Sequence, residues 1–471
     1  MSNRWPAGII RKTPVTPAGP YEHRAASGVW SLTDAAYWTK QGLWPTAGNK
    51  GYWVNVITGT NVGNFTGLNL DNAGNIVITG TQENGTYDDV YVAKLDPDGA
   101  VLWSKFLELG TQYGQSVSTV RKPAIDSSDN IYTTFNVAQS GSSYVNDWAV
   151  TKMATDGSLT ADIIMAGAST GYDRGDYIIW NGSQLVTSGD YDNINYVCLV
   201  RMNTSLAALT GSQYISTVNR PASIYWDGSN YYITAYKDGS FGFPTYVVKV
   251  NSSFVFQWCS GVGRDISGSP SSPRFNKAVS IGTDVYACGY STTSKINNTD
   301  YSGFLWKANS SGTQQWQRVV ADAAGLKLSR LQSIAKTSDN KLIVVGTLVT
   351  TAASTDDRVY VAKIDPTTPS VVWELTINLG YSGGGYDVEL DAEDNIYLSG
   401  TNFVCTLPTD GSITGTFGSI TITATSYGIA TPTTLEDTNT QALTTTTPSI
   451  SDQGGSFSAS TQSYTSVRQS I

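Results

Sequence analysis

Charged side chains are scarce in this chain of 471 residues, and histidine is nearly missing. Asp, Glu, Lys and Arg make up 14% of the residues, and His23 is the one histidine. A single histidine excludes a multi-histidine metal site and argues against nucleophilic catalysis with a histidine base. The sequence also contains no G-x-S-x-G, H-E-x-x-H or P-loop pattern. From these absences we expect no catalytic residues, no metal or cofactor, and no enzymatic activity.

Basic stripes, long apolar runs and paired cysteines are missing as well. The formal net charge is −9, so we expect no nucleic-acid partner. No run approaches the roughly 20 apolar residues that span a bilayer, so we expect no membrane insertion. The residues after Met1 lack the apolar segment of a secretory signal peptide. The four cysteines form no C-x-x-C pair, and we expect them to be free and buried.

What the chain does contain is a repeat of about 54 residues. In its clearest copy, a polar turn over residues 71–75 precedes an apolar run from Ile76. An alternating run from Val90, an Asp98-Gly99 turn and Trp103 follow. The apolar run begins seven times, near Ile76, Ile131, Leu185, Tyr231, Val285, Leu342 and Ile396. Such a period predicts an array of small sheets.

Seven repeats with hairpin-type turns predict an all-β fold, a seven-bladed β-propeller of four-stranded antiparallel blades over residues 51–430. The composition agrees, because 46 glycines suit turns and 27 tyrosines with 13 tryptophans fit between packed sheets. Two segments compete to close the ring. The run from Tyr52 to Ile57 resembles the fourth strand of a blade, as does the segment from Gly411 to Ile422. We favour the N-terminal strand, which precedes a complete first blade.

The two ends of the chain lie outside the repeat. Residues 1–50 form a Pro- and Gly-spaced extended arm, in which a capping box at Ser31 predicts one short helix from Leu32 to about Gln41. Its large apolar residues need a surface to cover them, and we expect docking on a partner through Ile9, Ile10, Trp30, Tyr37, Trp38, Leu43 and Trp44. Residues 431–471 are a Thr/Ser-rich, low-complexity C-terminal tail, which we expect to be disordered in isolation.

Three further patterns within the repeat have two readings each. Tyrosines recur where one repeat joins the next, at Tyr113, Tyr172 and Tyr386; they either bind sugars or a partner at a rim, or pack between blades. The oxygen-rich turns near Asp71 and Asp391 either hold calcium or are simply Asx turns, and their spacing favours turns. The tryptophans at Trp103, Trp258, Trp316 and Trp373 occupy one repeat position, which favours a structural role.

The arm carries a resemblance to a protein class. Its Pro-rich stretch over residues 8–21 and the segments Ala26–Leu32 and Gln41–Pro45 resemble virion structural proteins of tailed phages that infect cyanobacteria and other aquatic bacteria. The repeat separately resembles bacterial propeller repeats that carry Asp-x-x-Gly-Asn-Ile-Tyr-Val-Thr-Gly. Together these resemblances imply a virion component, assembled in the host cytoplasm, in which the arm docks on other virion proteins and a symmetric assembly holds several copies.

Three functions are therefore open. The first is a tail or tail-appendage protein that displays its propeller for host attachment or assembly, with a host-surface glycan or receptor as a further partner. The second is a capsid decoration or head-fibre protein with the same anchor. The third, from another class, is a propeller lectin or carbohydrate-active enzyme, which would need converging carboxylates in the channel or in a rim pocket.

Overall fold

The chain divides into two units, Met1–Tyr52 and Trp53–Ile471. The computed structural model describes residues 52–58, 63–84, 87–109, 120–138, 146–166, 173–190, 196–207, 209–215, 220–236, 244–265, 273–291, 302–320, 327–349, 357–431, 436–440, 445–446, 451–452, 457–461 and 465–470. The arm, its predicted helix and its seven docking residues lie outside these ranges. No helix occurs within them, and hence none that is long and apolar enough to cross a membrane.

Seven antiparallel sheets of four blade strands confirm the predicted seven-bladed propeller. Blade 1 contains β2 (Phe65–Leu70), β3 (Ile76–Asn84), β4 (Tyr87–Leu95) and β5 (Val101–Leu109). Blade 2 contains β6 (Ala124–Ile125), β7 (Ile131–Ala138), β8 (Asn146–Met153) and β9 (Leu159–Ala166). Blade 3 contains β10 (Arg174–Trp180), β11 (Leu185–Asp190), β12 (Val197–Met202) and β13 (Leu209–Ile215). Blade 4 contains β14 (Arg220–Trp226), β15 (Asn230–Tyr236), β16 (Thr245–Asn251) and β17 (Phe256–Asp265).

The remaining blades repeat this order. Blade 5 contains β18 (Arg274–Ile281), β19 (Asp284–Ser291), β20 (Ser302–Ala308) and β21 (Gln314–Val320). Blade 6 contains β22 (Lys327–Lys336), β23 (Leu342–Val349), β24 (Arg358–Asp365) and β25 (Ser370–Asn378). Blade 7 contains β26 (Gly385–Leu390), β27 (Ile396–Gly400), β28 (Phe403–Leu407) and β1 (Trp53–Thr58). We call the four strands of each blade A to D; the A strands contact one another around the centre of the ring.

Ring closure follows the favoured alternative. Strand β1 pairs antiparallel with β28, with Val54 opposite Cys405 and Val56 opposite Phe403, and so supplies strand D of the last blade. The competing segment instead forms a hairpin of β29 (Gly415–Phe417) and β30 (Ile420–Ala424), in which β30 pairs with β25 of blade 6. The apparent surplus of one fourth strand is thus a fifth strand of the neighbouring blade.

The C-terminal segment then circles the ring against the order of the blades. After β30 come β31 (Ile429–Ala430), β32 (Glu436–Thr440), β33 (Thr445–Thr446), β34 (Ser451–Asp452), β35 (Phe457–Thr461) and β36 (Thr465–Ser470). They pair in turn with strand D of blades 5, 4, 3, 2, 1 and 7. This C-terminal belt differs from the expected disordered tail because pairing with a free sheet edge uses backbone groups and requires no apolar side chains.

Apolar side chains fill the space between neighbouring blades. Seven clusters of buried residues occur among the described residues, one for each of the seven interfaces around the ring. The cluster between blades 7 and 1, for example, contains Trp53, Phe65 and Tyr397, each at most 2% exposed. Burial of this apolar area is the main stabilising contribution to the ring. The four cysteines are free and buried within these clusters.

A repeated contact, here called the tryptophan joint, ties strand D of one blade to the C–D turn of the next. Trp53 Nε1 donates to the Pro97 carbonyl at 3.2 Å, and a Cβ added to Gly99 would lie 2.8 Å from the Trp53 ring. Trp103, Trp258 and Trp373 repeat the arrangement at Gly157, Gly312 and Gly411. The tryptophan series is therefore structural, as the sequence pattern favoured.

Two interfaces without tryptophan keep the same hydrogen bond by other means. The equivalent positions on strand D are Ala161 and Gly211, which oppose Lys152 and Arg201. The next turns then carry buried Leu206 and Phe254 at positive φ where the other turns carry glycine. Tyr132 Oη donates to Thr204 O at 3.0 Å, and Arg201 donates to Ser252 O at 2.6 Å. A large side chain from the turn thus replaces the missing indole.

The joint between blades 5 and 6 is incomplete. Trp316 Nε1 is buried there and has no hydrogen-bond partner. The following turn, residues 366–369, contains no glycine. This interface shows that the tryptophan and the glycine act as a pair, because the indole loses its acceptor where the glycine is missing.

The joint predicts a difference between two glycines that share a left-handed backbone. Gly99 (φ 85°) faces the Trp53 ring, whereas Gly228 (φ 98°) has no atom within 4 Å of an added Cβ. Both alanine variants lose about 1–2 kcal/mol through the unfavourable φ, and we expect Gly99→Ala to lose about 1–2 kcal/mol more through displacement of the indole. Urea unfolding of both variants measures this, and equal losses of unfolding free energy would contradict the joint.

The belt predicts a localised effect of truncation. Deleting residues 432–471 removes β32–β36 and uncovers strand D of blades 4, 3, 2, 1 and 7, while β30 and β31 still cover blades 6 and 5. We expect the amides of β5, β9, β13, β17 and β1 to exchange at least about tenfold faster, and the protein to self-associate through its new edges. Hydrogen exchange with β21 and β25 as internal controls measures this; uniform or unchanged exchange would show that the belt does not protect the edges.

Candidate functional site

The two faces of the ring differ in chemistry. The A–B and C–D turns share one end of the strands, here called the turn face; the A strands begin and the B strands end at the opposite loop face. On the turn face Asp71 accepts hydrogen bonds from the backbone of Ala73 and Asn75, and it lies 2.8 Å from Lys94 Nζ. Although burial opposes ionisation, the hydrogen bonds from Lys94 and Asn75 lower the pKa of Asp71. Protein donors thus occupy the oxygens that were considered for calcium.

A β-bulge at one point of strand A aims a side chain into the central channel. Six blades carry it, with the ladder of blade 5 shifting between Phe275 and Lys277. The two strands approach closely here, since a Cβ on Gly289 would lie 1.7 Å from the Arg274 carbonyl oxygen. Five of the bulged residues line the central recess, namely Thr66, Ala222, Asn276, Gln332 and Tyr386; the sixth, Asp176, is not among its lining residues. Bulges commonly redirect side chains toward functional sites.

An ionic network crosses the channel and joins distant blades. Lys277 of blade 5 lies 3.0 Å from Asp387 and 3.1 Å from Glu389 of blade 7, and Glu389 also pairs with Lys122 of blade 2. Ser333 donates to Asp387 at 2.6 Å. Burial opposes the charge on Lys277, but the two carboxylates raise its pKa above the usual value. Burial likewise opposes the charge on Asp387, whose pKa Lys277 and Lys122 lower. These charges are mutually compensated and hold the ring together.

Arginines stand in a partial ring at the loop face. Each lies on strand A two positions before the bulge, in blades 3 to 6: Arg174, Arg220, Arg274 and Arg330. Three of them contact the end of strand B of the preceding blade. Arg220 Nε lies 3.7 Å from Asp190, and the guanidinium carbons of Arg274 and Arg330 lie 4.1 and 5.4 Å from the ring centres of Tyr236 and Tyr290.

Asp176 lies among these arginines without an ion pair of its own. Its carboxylate interacts electrostatically with Arg121, Arg174, Arg220 and Arg274. No hydrogen bond or salt bridge within 4 Å involves the Asp176 side chain among the described residues. Burial raises the pKa of Asp176 to about 6, and the arginines only partly oppose this shift. An acid whose pKa is raised this far beside several arginines is a typical feature of functional sites.

The channel itself is a recess of about 570 Å³, including its open mouth. Its lining combines Arg121, Lys122, Arg274 and Lys277 with the polar and aromatic residues Thr66, Tyr177, Ser223, Asn276, Gln332, Tyr386 and Asp387. Among the described residues, no group of three or more His, Cys, Asp and Glu side chains is arranged to hold a metal.

The rim tyrosines of the sequence interpretation have separate outcomes. Tyr386 does not lie in a loop between blades; it is part of β26, where the bulge turns it into the channel. Strand A of blade 7 begins at Gly385, so Tyr386 belongs to this strand and not to the loop before it. Tyr113 and Tyr172 lie outside the described residues.

Sequence reasoning missed the channel residues, although a signal was present. The bulge position lies five residues before the first residue of the A–B turn, as in Thr66 before Asp71 and Tyr386 before Asp391. Across the seven repeats this position holds Thr, Arg, Asp, Ala, Asn, Gln and Tyr. Such variation among otherwise similar units indicates a position whose residue type is not determined by the blade architecture.

Comparison with known proteins identifies the fold alone. No protein-family description and no curated protein sequence matches the chain. Among solved structures, Kuenenia stuttgartiensis hydrazine synthase matches with a TM-score of 0.50 and 10% identity, over 73% of this chain and 95% of that chain. The WD40 β-propeller domain of Doa1 matches with a TM-score of 0.42 and 8% identity, over 76% and 97%.

The comparison corrects one expectation. From the single histidine and the absence of catalytic motifs we expected no enzymatic activity. Hydrazine synthase, however, is an enzyme, and its chain matches this propeller at a TM-score of 0.50. The exclusion was wrong because it searched for sequence motifs, whereas a propeller assembles its channel from one residue per blade.

Asp176 predicts a pH dependence of stability that a nearby acid does not share. Because its folded pKa of about 6 exceeds the unfolded value of 3.8, the native state holds the proton in this window and stability falls as pH rises through it. We expect Asp176→Asn to be more stable than wild type by about 1–2 kcal/mol at about pH 7.5, and equal below about pH 4.

The matched control has the opposite sign. The folded pKa of Asp387 is lowered, so its charge stabilises the native state, and Asp387→Asn should destabilise at about pH 7.5. Urea unfolding of the wild type and both variants between about pH 4 and 7.5 measures the effect. A destabilising Asp176→Asn at neutral pH would show that the arginines, rather than burial, dominate.

Proposed function

We propose that this protein is a structural component of the virion of a tailed phage, most simply a tail or tail-appendage protein. Its arm docks on other virion proteins and its propeller is displayed for contact with the host surface or with neighbouring subunits. The observation that carries this proposal is the arm itself, a non-repeat segment with phage-like motifs and a concentration of aromatic residues.

The way in which the arm enters the ring supports an anchoring role. Residues 1–50 lead directly into β1, which pairs with β28 on one edge and with β36 on the other. Trp53, the first residue of this strand, is fully buried and makes the joint to blade 1. A pull on the arm would therefore act on a strand hydrogen-bonded along both edges, which resists detachment better than an edge strand.

The covered outer edges of the blades are also suited to a displayed particle component. In six sheets a belt strand pairs with strand D, and in blade 6 the hairpin strand β30 does so. Free edges promote pairing between copies, and a particle that holds several copies close together would suffer most from it. The outermost strands of the seven sheets are now only two to six residues long, and such short edge strands pair less readily with another copy.

Substitution in the full-length chain tests the arm. We expect replacement of Trp30, Trp38, Leu43 and Trp44 by alanine to leave the ring folded but to reduce incorporation into particles to below about a tenth, because buried aromatic anchors dominate most interfaces. The measurement is complementation of a phage that lacks the gene, followed by quantification of the protein in purified particles.

A matched control removes apolar surface from the ring instead. Leu102, Val255 and Val372 are 52%, 55% and 53% exposed. Their triple alanine variant should be incorporated normally. Normal incorporation of the arm variant would refute the anchor, and electron microscopy of particles carrying wild-type protein distinguishes a tail from a capsid location.

A further inference from the structure

We infer that the mouth of the channel at the loop face is a binding site for an acidic saccharide, with the ligand carboxylate held by the arginines. This inference concerns only the described ring and does not require that the protein be a virion component.

Positive charge concentrates in the channel of a chain that is acidic overall. Seven cationic side chains lie on or beside the inner strands: Arg121, Lys122, Arg174, Arg220, Arg274, Lys277 and Arg330. Their acidic counterparts there are Asp176, Asp190, Asp387 and Glu389, of which Asp387 and Glu389 pair with the lysines and Asp190 lies 3.7 Å from Arg220. The formal net charge of the chain is −9, so this cationic excess is local. A low-dielectric channel with an excess of positive charge focuses the field on an incoming anion.

The guanidinium groups are held in place before any ligand binds. Arg274 stacks on Tyr236, Arg330 lies over the ring of Tyr290, and Arg220 Nε lies 3.7 Å from Asp190. Arg121 lies over the Tyr177 ring with 5.9 Å between the guanidinium carbon and the ring centre. Side chains fixed by stacking lose little conformational entropy on binding, and the planar guanidinium fork matches a carboxylate in bidentate geometry.

The rest of the lining fits a sugar better than a small inorganic ion. Asn276 Nδ2 donates to Gln332 Oε1 at 3.2 Å, which leaves Gln332 Nε2 and Asn276 Oδ1 for ligand hydroxyl groups. Tyr177 and Tyr386 supply aromatic surface from two other blades, and aromatic faces pack against the apolar faces of sugar rings.

Asp176 makes the site testable through charge. It lies in the field of four arginines without an ion pair, so its carboxylate opposes the approach of a ligand anion to the same arginines. Removing this charge while keeping the shape should therefore strengthen binding of an anion. The same substitution should not strengthen binding of a neutral sugar.

Titration calorimetry of the full-length protein tests the site, with digalacturonate as the probe and neutral galactobiose and inorganic phosphate as comparisons. We expect digalacturonate to bind, Arg121→Gln to weaken it about tenfold, and Asp176→Asn to tighten it about fivefold. Arg121→Lys, which keeps the charge but not the planar fork, should lose part of the affinity. Arg318→Gln, on strand D of blade 5, is the matched control and should leave the affinity unchanged.

Several outcomes would overturn the inference. They are no binding of digalacturonate at about 10 mM, equal binding of galactobiose, equal binding of phosphate, or equal weakening by the Arg318 control. Weaker binding by Asp176→Asn would also overturn it, since that acid would then be a ligand contact rather than a competing charge. Thermal unfolding of each variant establishes that the ring remains folded, and Arg121 suits this test because it makes no salt bridge among the described residues.

Discussion

A hydrogen bond to one turn carbonyl recurs around the ring, and the order of the blades depends on it. The donor is an indole in four interfaces, a tyrosine hydroxyl in the fifth and a guanidinium in the sixth. Each such bond contributes about 1 kcal/mol, which is small beside the apolar burial. Its importance is geometric, because apolar faces alone can slide past one another, whereas a directional bond fixes how far each blade rotates against the next.

The sequence was sufficient for those features that repeat. Seven similar runs from Ile76 to Ile396 predicted seven blades, and the recurrence of tryptophan at one position predicted a structural role for Trp103, Trp258 and Trp373. The joint explains why this worked: a contact made in the same way at successive interfaces leaves the same residue type in successive repeats. The role of Leu206 and Phe254 could not be predicted from their own repeat. Each fills the space of a tryptophan that is missing from strand D of the previous blade, so two repeats must be compared to recognise it.

The belt and the channel were beyond sequence reasoning for different reasons. The belt consists of polar residues that pair through their backbone, so its sequence does not differ from that of a disordered segment. The channel depends on a bulge that shifts one residue out of the ladder, and alternation of apolar and polar residues does not reveal such a shift. Tyr386 shows the consequence, since it was recognised as a candidate binding residue but assigned to a loop, whereas it lies on strand β26.

The position of the belt constrains the order in which the protein can assemble. Strand β1 is among the first parts of the ring to leave the ribosome, yet it lies between β28 and β36, which are among the last. Blade 7 thus joins strands that are distant in sequence in a single sheet, and the ring cannot close before β28 has been synthesised. Once β36 is paired with β1, β1 can leave the sheet only after β36 has detached from it. Strand β36 therefore slows the unfolding of β1.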